Sequence, residues 1–282
     1  MARTHDRVDG KQRSRFRARS LLFALMTMTL FTACASPAKR FDDTAASLGL
    51  RRQIVVGTEF QHVVFWRDGR HNRTLHVYLG GDGTPMSTGQ PSEDPTPRNP
   101  LMLRLLSFDP GQAVYVGRPC YHGLTKAAGC SNELWTTARY SERVVASLAA
   151  AIRRIMTEQA DRQLSLFGHS GGGTLAMLLA ERFPETRALV TIAGNLDTDA
   201  WTAHHGFSPL TDSLNPITRP LLHRSLVQRH YVGERDRIVP SAIVKNAAAQ
   251  LGTEAIVITG FDHVCCWEER WPQILADVTA TE

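Results

Sequence analysis

Ser170 stands in Gly168-His169-Ser170-Gly171-Gly172, after an alternating apolar run from Leu164 to Phe167 and before Gly173-Thr174-Leu175-Ala176-Met177-Leu178-Leu179-Ala180. The first run reads as a strand, the glycines as a tight turn and the second run as a helix. A sharp turn of this kind lifts a serine hydroxyl clear of the sheet, and only small flanks such as Gly168 and Gly172 let chain and substrate approach it. The Gly171 N–H then falls at a helix start, where unsatisfied amides and the dipole favour a developing negative charge. The chemistry on offer is nucleophilic attack on a carbonyl. A plain glycine turn uses the same residue types, so the reading depends on a base, an acid and a second oxyanion donor elsewhere in the chain.

A hydroxyl needs a base to take its proton and an acid to hold that base in the right tautomer. Asp236 lies in Gly233-Glu234-Arg235-Asp236, just after the strand-like run 228–232, and His263 lies in Gly260-Phe261-Asp262-His263, just after the run 255–259. Both fall at the carboxyl ends of successive strands, where α/β sheets place their sites. Ser170, Asp236 and His263 are therefore the expected catalytic triad. Taken singly, Asp236 reads as a capping aspartate and His263 as a satisfied loop histidine; their order and placement favour catalysis. Asp197 and Asp199, after the run 188–193, are the alternative acids. Glu234 is a weaker rival, and Asp262 weaker still, since a neighbour on an extended loop points the other way.

The second oxyanion donor is expected from Gly80-Gly81-Asp82-Gly83, which ends the strand 74–79. Gly81 bares the backbone and Asp82 lends its N–H, while its carboxylate must point away or hydrogen-bond within the loop, because a negative charge would oppose an oxyanion. A hairpin turn is the alternative reading. His169 is expected to pack within the elbow, and His204-His205 lack a third ligand at useful spacing. No cofactor and no metal are expected. A zinc site using His263 with Cys265 and Cys266 matches no familiar spacing.

The elements that must position these groups alternate. Residues 53–56 and 61–66 read as an antiparallel opening pair, 101–108 as a helix, 113–116 as a buried strand and 141–157 as a one-faced helix. The elbow strand and helix, a strand at 188–193, a strand at 228–232, a helix at 240–251, a strand at 255–259 and a closing helix at 266–278 complete an α/β pattern with a mostly parallel sheet. Residues 85–100 read as an ordered surface loop near the site, and about 194–227, with no strong strand, as a cap insertion.

The chain has 282 residues and a formal charge of +5, with 32 basic and 27 acidic side chains. Seven of the basic and two of the acidic ones lie in residues 1–20, which leaves 25 of each for the rest. A neutral body excludes an electrostatic case for nucleic acid. The basic start is followed by thirteen uncharged residues, Leu21 to Ala33, the length of a signal-peptide core and too short to span a bilayer comfortably. Residues 1–33 are thus expected to be a signal peptide, 34–50 a tether and 51–282 one domain.

Leu30-Phe31-Thr32-Ala33-Cys34 resembles a bacterial lipobox, which implies lipidation of Cys34, export, and anchoring in the envelope on the periplasmic side of the outer membrane; an ordinary secretory signal ending in the periplasm is the alternative. Cys120, Cys130, Cys265 and Cys266 remain, an even count that favours disulfides in an exported chain. Of three pairings, the expected one joins Cys120 to Cys130 and leaves Cys265 and Cys266 bridged or free.

Gly168 to Gly172, Gly233 to Pro240 and Gly260 to His263 resemble the α/β-hydrolase superfamily over about residues 53–279. Gly80 to Gly83, Asp94 to Pro100, Arg118-Pro119-Cys120, Ala193 to Asp197 and His263 to Trp267 are similar to a proteobacterial group of lipoprotein hydrolases, a resemblance that supplies no substrate. It implies an α/β-hydrolase fold, with a mostly parallel central sheet, helices on both faces and a small cap. The expected function is a serine hydrolase, a carboxylic ester hydrolase working through an acyl-enzyme on a small-molecule ester. A serine peptidase, amidase or acyltransferase, and a non-catalytic lipid-anchored envelope protein, are the alternatives.

Overall fold

The structure, a computed structural model, describes residues 35–69, 73–159 and 163–280. Ten strands run in chain order: β1 (Arg51–Val56), β2 (Gln61–Arg67), β3 (Thr74–Leu79), β4 (Met86–Ser87), β5 (Gln90–Pro91), β6 (Ala113–Val116), β7 (Gln163–His169), β8 (Thr186–Ile192), β9 (Val227–Gly233) and β10 (Ala255–Ile258). Eight of them form one sheet in the order β1-β2-β6-β3-β7-β8-β9-β10, while β4 and β5 make a separate small hairpin. β1 and β2 are antiparallel to their neighbours and the other six are mutually parallel. Strands buried on both faces should read as continuous apolar runs, and β3 and β6 are buried along their whole lengths.

The helices are α1 (Pro37–Ser47), α2 (Leu101–Ser107), α3 (Glu142–Gln159), α4 (Gly171–Ala180), α5 (Thr198–His205), α6 (Ser241–Gln250) and α7 (Trp267–Thr279). One face of the sheet packs against α3, α4 and α6 through Val144, Leu148, Leu175, Val244 and Ala247. The opposite face packs against α1, α2 and α7 through Phe41, Leu105, Trp267 and Trp271. This two-faced α/β arrangement is the one expected, and the element boundaries lie within a few residues of those read from periodicity.

The tether expected at 34–50 is corrected from residue 37 onward. Pro37–Ser47 is a helix with Ser36 as its cap, the serine oxygen accepting from Lys39 N–H. Phe41 and Ala45, one helical turn apart, are buried, and the Phe41 ring lies 5.6 Å from that of Phe65 and 5.3 Å from that of Tyr115. The flanking Lys39, Arg40, Asp42 and Asp43 read as a solvated linker, yet an apolar i, i+4 pair is enough to seat a short helix on a sheet. The signal-peptide segment 1–33 and Cys34 lie outside the described residues. No helix among the described residues is long and apolar enough to cross a membrane.

Cys120 and Cys130 form a disulfide with Cα atoms 5.6 Å apart, as expected, and Cys265 and Cys266 are joined to each other. The segment 194–227 holds α5 and a short 3₁₀ turn at Pro216–Thr218 before its last residue, Val227, opens β9.

Candidate active site

Ser170 caps the N-terminal end of α4 with φ 54° and ψ −125°. A non-glycine residue held there is strained, and the neighbours impose it. A Cβ at Gly168 would run into the Gly172 carbonyl, and one at Gly172 into the Leu79 carbonyl, so both flanks must be bare for β7, α4 and β3 to meet. The turn is tied to β8, since Ser170 N–H donates to the Ile192 carbonyl at 3.0 Å.

His263 Nδ1 donates to Asp236 Oδ2 at 2.9 Å. Asp236 Oδ1 accepts the N–H groups of Ile238 and Val239, each at 2.8 Å, so both carboxylate oxygens are occupied and the side chain is fixed. With Nδ1 committed to the carboxylate, the ring turns its Nε2 to the opposite side. Ser170 and His263 line one pocket of about 330 Å³, together with Gly81, Asp82, His169, Trp201 and Ile238.

The rival acids are engaged elsewhere. Asp197 caps α5, its Oδ1 accepting from Asp199 N–H, Ala200 N–H and Asn215 Nδ2. Asp199 accepts from the same amide group of Asn215. Glu234 accepts from Gly260 N–H, and Asp262 from Val264 and Cys265 N–H within its own loop. His205 Nε2 meets the Ile238 carbonyl at 2.9 Å, and no group of three or more metal-ligating side chains occurs among the described residues.

The loop after β3 lies against the elbow: a Cβ on Gly81 would stand 3.2 Å from Ser170 Cβ. Gly171 opens α4, whose leading N–H groups lack an intrahelical acceptor. The Asp82 carboxylate does not bond within its own loop, one of the two options expected. It receives Arg118 Nη2 at 2.7 Å, Arg139 Nη1 at 2.8 Å and Tyr140 OH at 2.7 Å, while Tyr121 OH donates to the Asp82 carbonyl at 3.0 Å. Burial pushes this carboxyl up, but the charges of Arg118 and Arg139 and the hydrogen bond from Tyr140 outweigh it and hold it below its ordinary value. Two guanidinium groups around one carboxylate leave a net positive charge where a lone Asp82 would have opposed an oxyanion. Arg118 enters the sequence reading only through the Arg118-Pro119-Cys120 resemblance, which gives it no role, and Arg139 and Tyr140 carry no motif; the groups converge from loops 21 residues apart, so spacing in the chain gives no signal for their meeting at Asp82.

His169 packs within the elbow as expected and does more. Its Nε2 donates to the His263 carbonyl at 2.8 Å, and the two rings lie 4.8 Å apart. Burial first, and then the charge of His263, pushes its pKa down to about 3, so it stays neutral.

No protein-family model and no curated protein matches this sequence. Solved structures do. A hyperthermophilic esterase from Pyrobaculum calidifontis superposes with a TM-score of 0.57 at 16% identity, over 94% of this chain and 97% of its own. A bacterial membrane phospholipase A gives 0.55 at 15%, over 96% and 98%. An α/β serine hydrolase without a lid from Xanthomonas campestris gives 0.52 at 13%, over 82% and 93%. At these identities the likeness establishes the fold: the chain has the α/β-hydrolase fold.

Proposed function

We propose that the protein is a serine hydrolase that cleaves carboxylic esters through an acyl-enzyme. The observation that carries this reading is one pocket lined at once by Ser170, by His263 with its Nδ1 on Asp236, and by the loop of Gly81 and Asp82. His263 Nε2 takes the Ser170 proton as the serine oxygen bonds to the ester carbonyl carbon, and the carbonyl oxygen gathers charge toward the N–H groups of Gly171 and Asp82. The tetrahedral intermediate collapses, the C–O bond to the alcohol breaks, and His263 returns the proton to the leaving oxygen. Water, deprotonated by His263, then attacks the acyl-enzyme and releases the acid and Ser170. Asp236 holds the imidazole and stabilises its cation throughout, and Arg118 and Arg139 keep the Asp82 carboxylate from opposing the oxyanion.

The test is hydrolysis of p-nitrophenyl butyrate by the purified protein and by Ser170→Ala, with a fluorophosphonate probe as a label. Turnover and labelling that both vanish in Ser170→Ala support the reading; a Ser170→Ala protein with full turnover sinks it. An amide or peptide cleaved faster than any ester moves the assignment to a peptidase or amidase with the same groups. We also propose export and lipid anchoring through Cys34, on the strength of the sequence 1–34 alone. Incorporation of labelled palmitate by cells expressing the wild type, and its loss in Cys34→Ser, tests this.

A further inference from the structure

Beside the nucleophile's pocket lies a second cavity of about 760 Å³ that shares Gly83, Thr84, Pro85, Arg139 and Trp201 with it. Two protrusions wall it. One is the β4–β5 hairpin, which brings Met86 and Pro91; the other is the C-terminal end of α5, where Gly206 at φ 66° stops the helix and turns out Phe207 and Ser208, with buried Leu210 beneath them. Arg139 is the one charged residue among those lining the cavity. Its Nε and Nη1 already serve the Thr136 carbonyl and Asp82, so two of its three nitrogens are turned to other partners.

Nine large apolar side chains are exposed among the described residues, and four of them ring these two cavities. Met86, 47% exposed, and Phe207, 54% exposed, line the larger one, while Ile238 and Val264 line the nucleophile's pocket. Apolar side chains gathered at a concave mouth, rather than scattered singly, mark a place where an apolar group is received. A mostly apolar trough that adjoins the nucleophile's pocket, with the small hydroxyls of Thr84, Thr136, Thr137, Thr202 and Ser208 in its lining, fits one substrate part above others, the hydrocarbon chain of an acyl group.

We propose that the trough between the β4–β5 hairpin and the end of α5 is the acyl-chain subsite, and that the substrates are esters of medium or long aliphatic acids. This rests on the serine hydrolase reading above and adds to it the class of acid released. The smaller pocket holds the ester group and the first carbons; later methylenes pass Trp201 and enter the trough, each buried one multiplying the specificity constant by about three to four.

The experiment compares kcat/KM for p-nitrophenyl butyrate and p-nitrophenyl decanoate, both below their aggregation thresholds, in the wild type and in Ser208→Trp. Ser208 is exposed, so an indole there fills the trough without disturbing the core. The expected result is a decanoate preference of at least tenfold in the wild type that falls at least tenfold in Ser208→Trp. Binding of decanoic acid to Ser170→Ala, read by tryptophan fluorescence with Trp201→Phe as the control, tests the trough without turnover. If neither ester is cleaved but decanoic acid binds Ser170→Ala and no longer binds the protein carrying both Ser170→Ala and Ser208→Trp, the hydrolase reading fails and the subsite stands. Equal rates on the two esters, a preference untouched by Ser208→Trp, or no decanoic acid binding overturns it.

Discussion

The protein carries two histidine–aspartate pairs of nearly the same geometry on the same sheet. His263 Nδ1 lies 2.9 Å from Asp236 Oδ2, and His76 Nδ1 lies 2.7 Å from Asp109 Oδ2. Asp109 also accepts from Tyr78 OH at 2.6 Å, and both members of that pair are buried, whereas His263 lines the pocket that Ser170 enters. Distance alone would score the buried pair the better one. What separates them is position along the strands: His76 sits within β3, under α2 and α7, and His263 sits in the loop beyond the carboxyl end of β10. A hydrogen-bonded imidazole becomes a candidate base only where its second nitrogen meets a reactive atom and a substrate, and otherwise it is a means of filling a core with satisfied polar groups.

The sharpest way to break this contrast is to neutralise each aspartate in turn. Asp236→Asn should lower kcat/KM on p-nitrophenyl butyrate by about 10³- to 10⁴-fold, because the amide favours the wrong tautomer of His263, with little change in urea stability. Asp109→Asn should do the reverse, costing about 3 kcal/mol of stability and leaving activity per folded molecule intact. An Asp236→Asn enzyme of near-normal rate would transfer the acid role elsewhere, and Asp197→Asn is the variant to measure beside it.

The two pairs also mark how far the chain could be read without coordinates. The elbow, the strand order of catalytic candidates and the parallel sheet were legible, because each is written in local signals: glycines at a turn, a period-2 run before them and polar residues just past strand ends. Asp236 and His263 were legible for that reason. The His76–Asp109 pair was not, since His76 stands inside the strand β3 and Asp109 in the turn Asp109-Pro110-Gly111, 33 residues on, with no local signal that joins them. Helix α1 escaped because its apolar stripe, Phe41 and Ala45, is thin beneath a charged surface. The partners of Asp82 escaped because a buried guanidinium has the same letter as an exposed one.

Asp82 combines features of both pairs: it is ion-paired in a largely buried setting, as Asp109 is with His76, yet it lines the pocket as His263 does. Asp82→Asn should therefore fail on both measures. Two guanidinium groups would lose their anion, a loss of about 3–5 kcal/mol, read as a lower urea midpoint, and the loosened loop would misplace its oxyanion N–H, read as a fall in kcat of roughly tenfold or more. A variant of unchanged stability would show that Arg118 and Arg139 are held by other contacts.

The smallest effect separates the histidine that must exchange protons from those that must not. Burial pushes the pKa of His62 and His230 down to about 4 and that of His122 and His169 to about 3, from an ordinary 6.5. Each has a folded value below its unfolded one, so the stability it contributes is complete above pH 6.5. As the pH falls from 6.5 toward 4 the unfolded chain takes up protons that the folded one refuses, at about 1.4 kcal/mol per pH unit for each group. Unfolding free energy measured in urea should thus decline between pH 6.5 and pH 5. His62→Gln can keep hydrogen bonds to the Gly117 carbonyl and Ser147 Oγ that His62 makes at 2.9 Å each, while removing one titration. Its pH slope in that window should be shallower than the wild type's by one proton. Parallel slopes would mean that His62 is protonated in the folded protein, and that burial beside a carbonyl and a hydroxyl does not keep an imidazole neutral here.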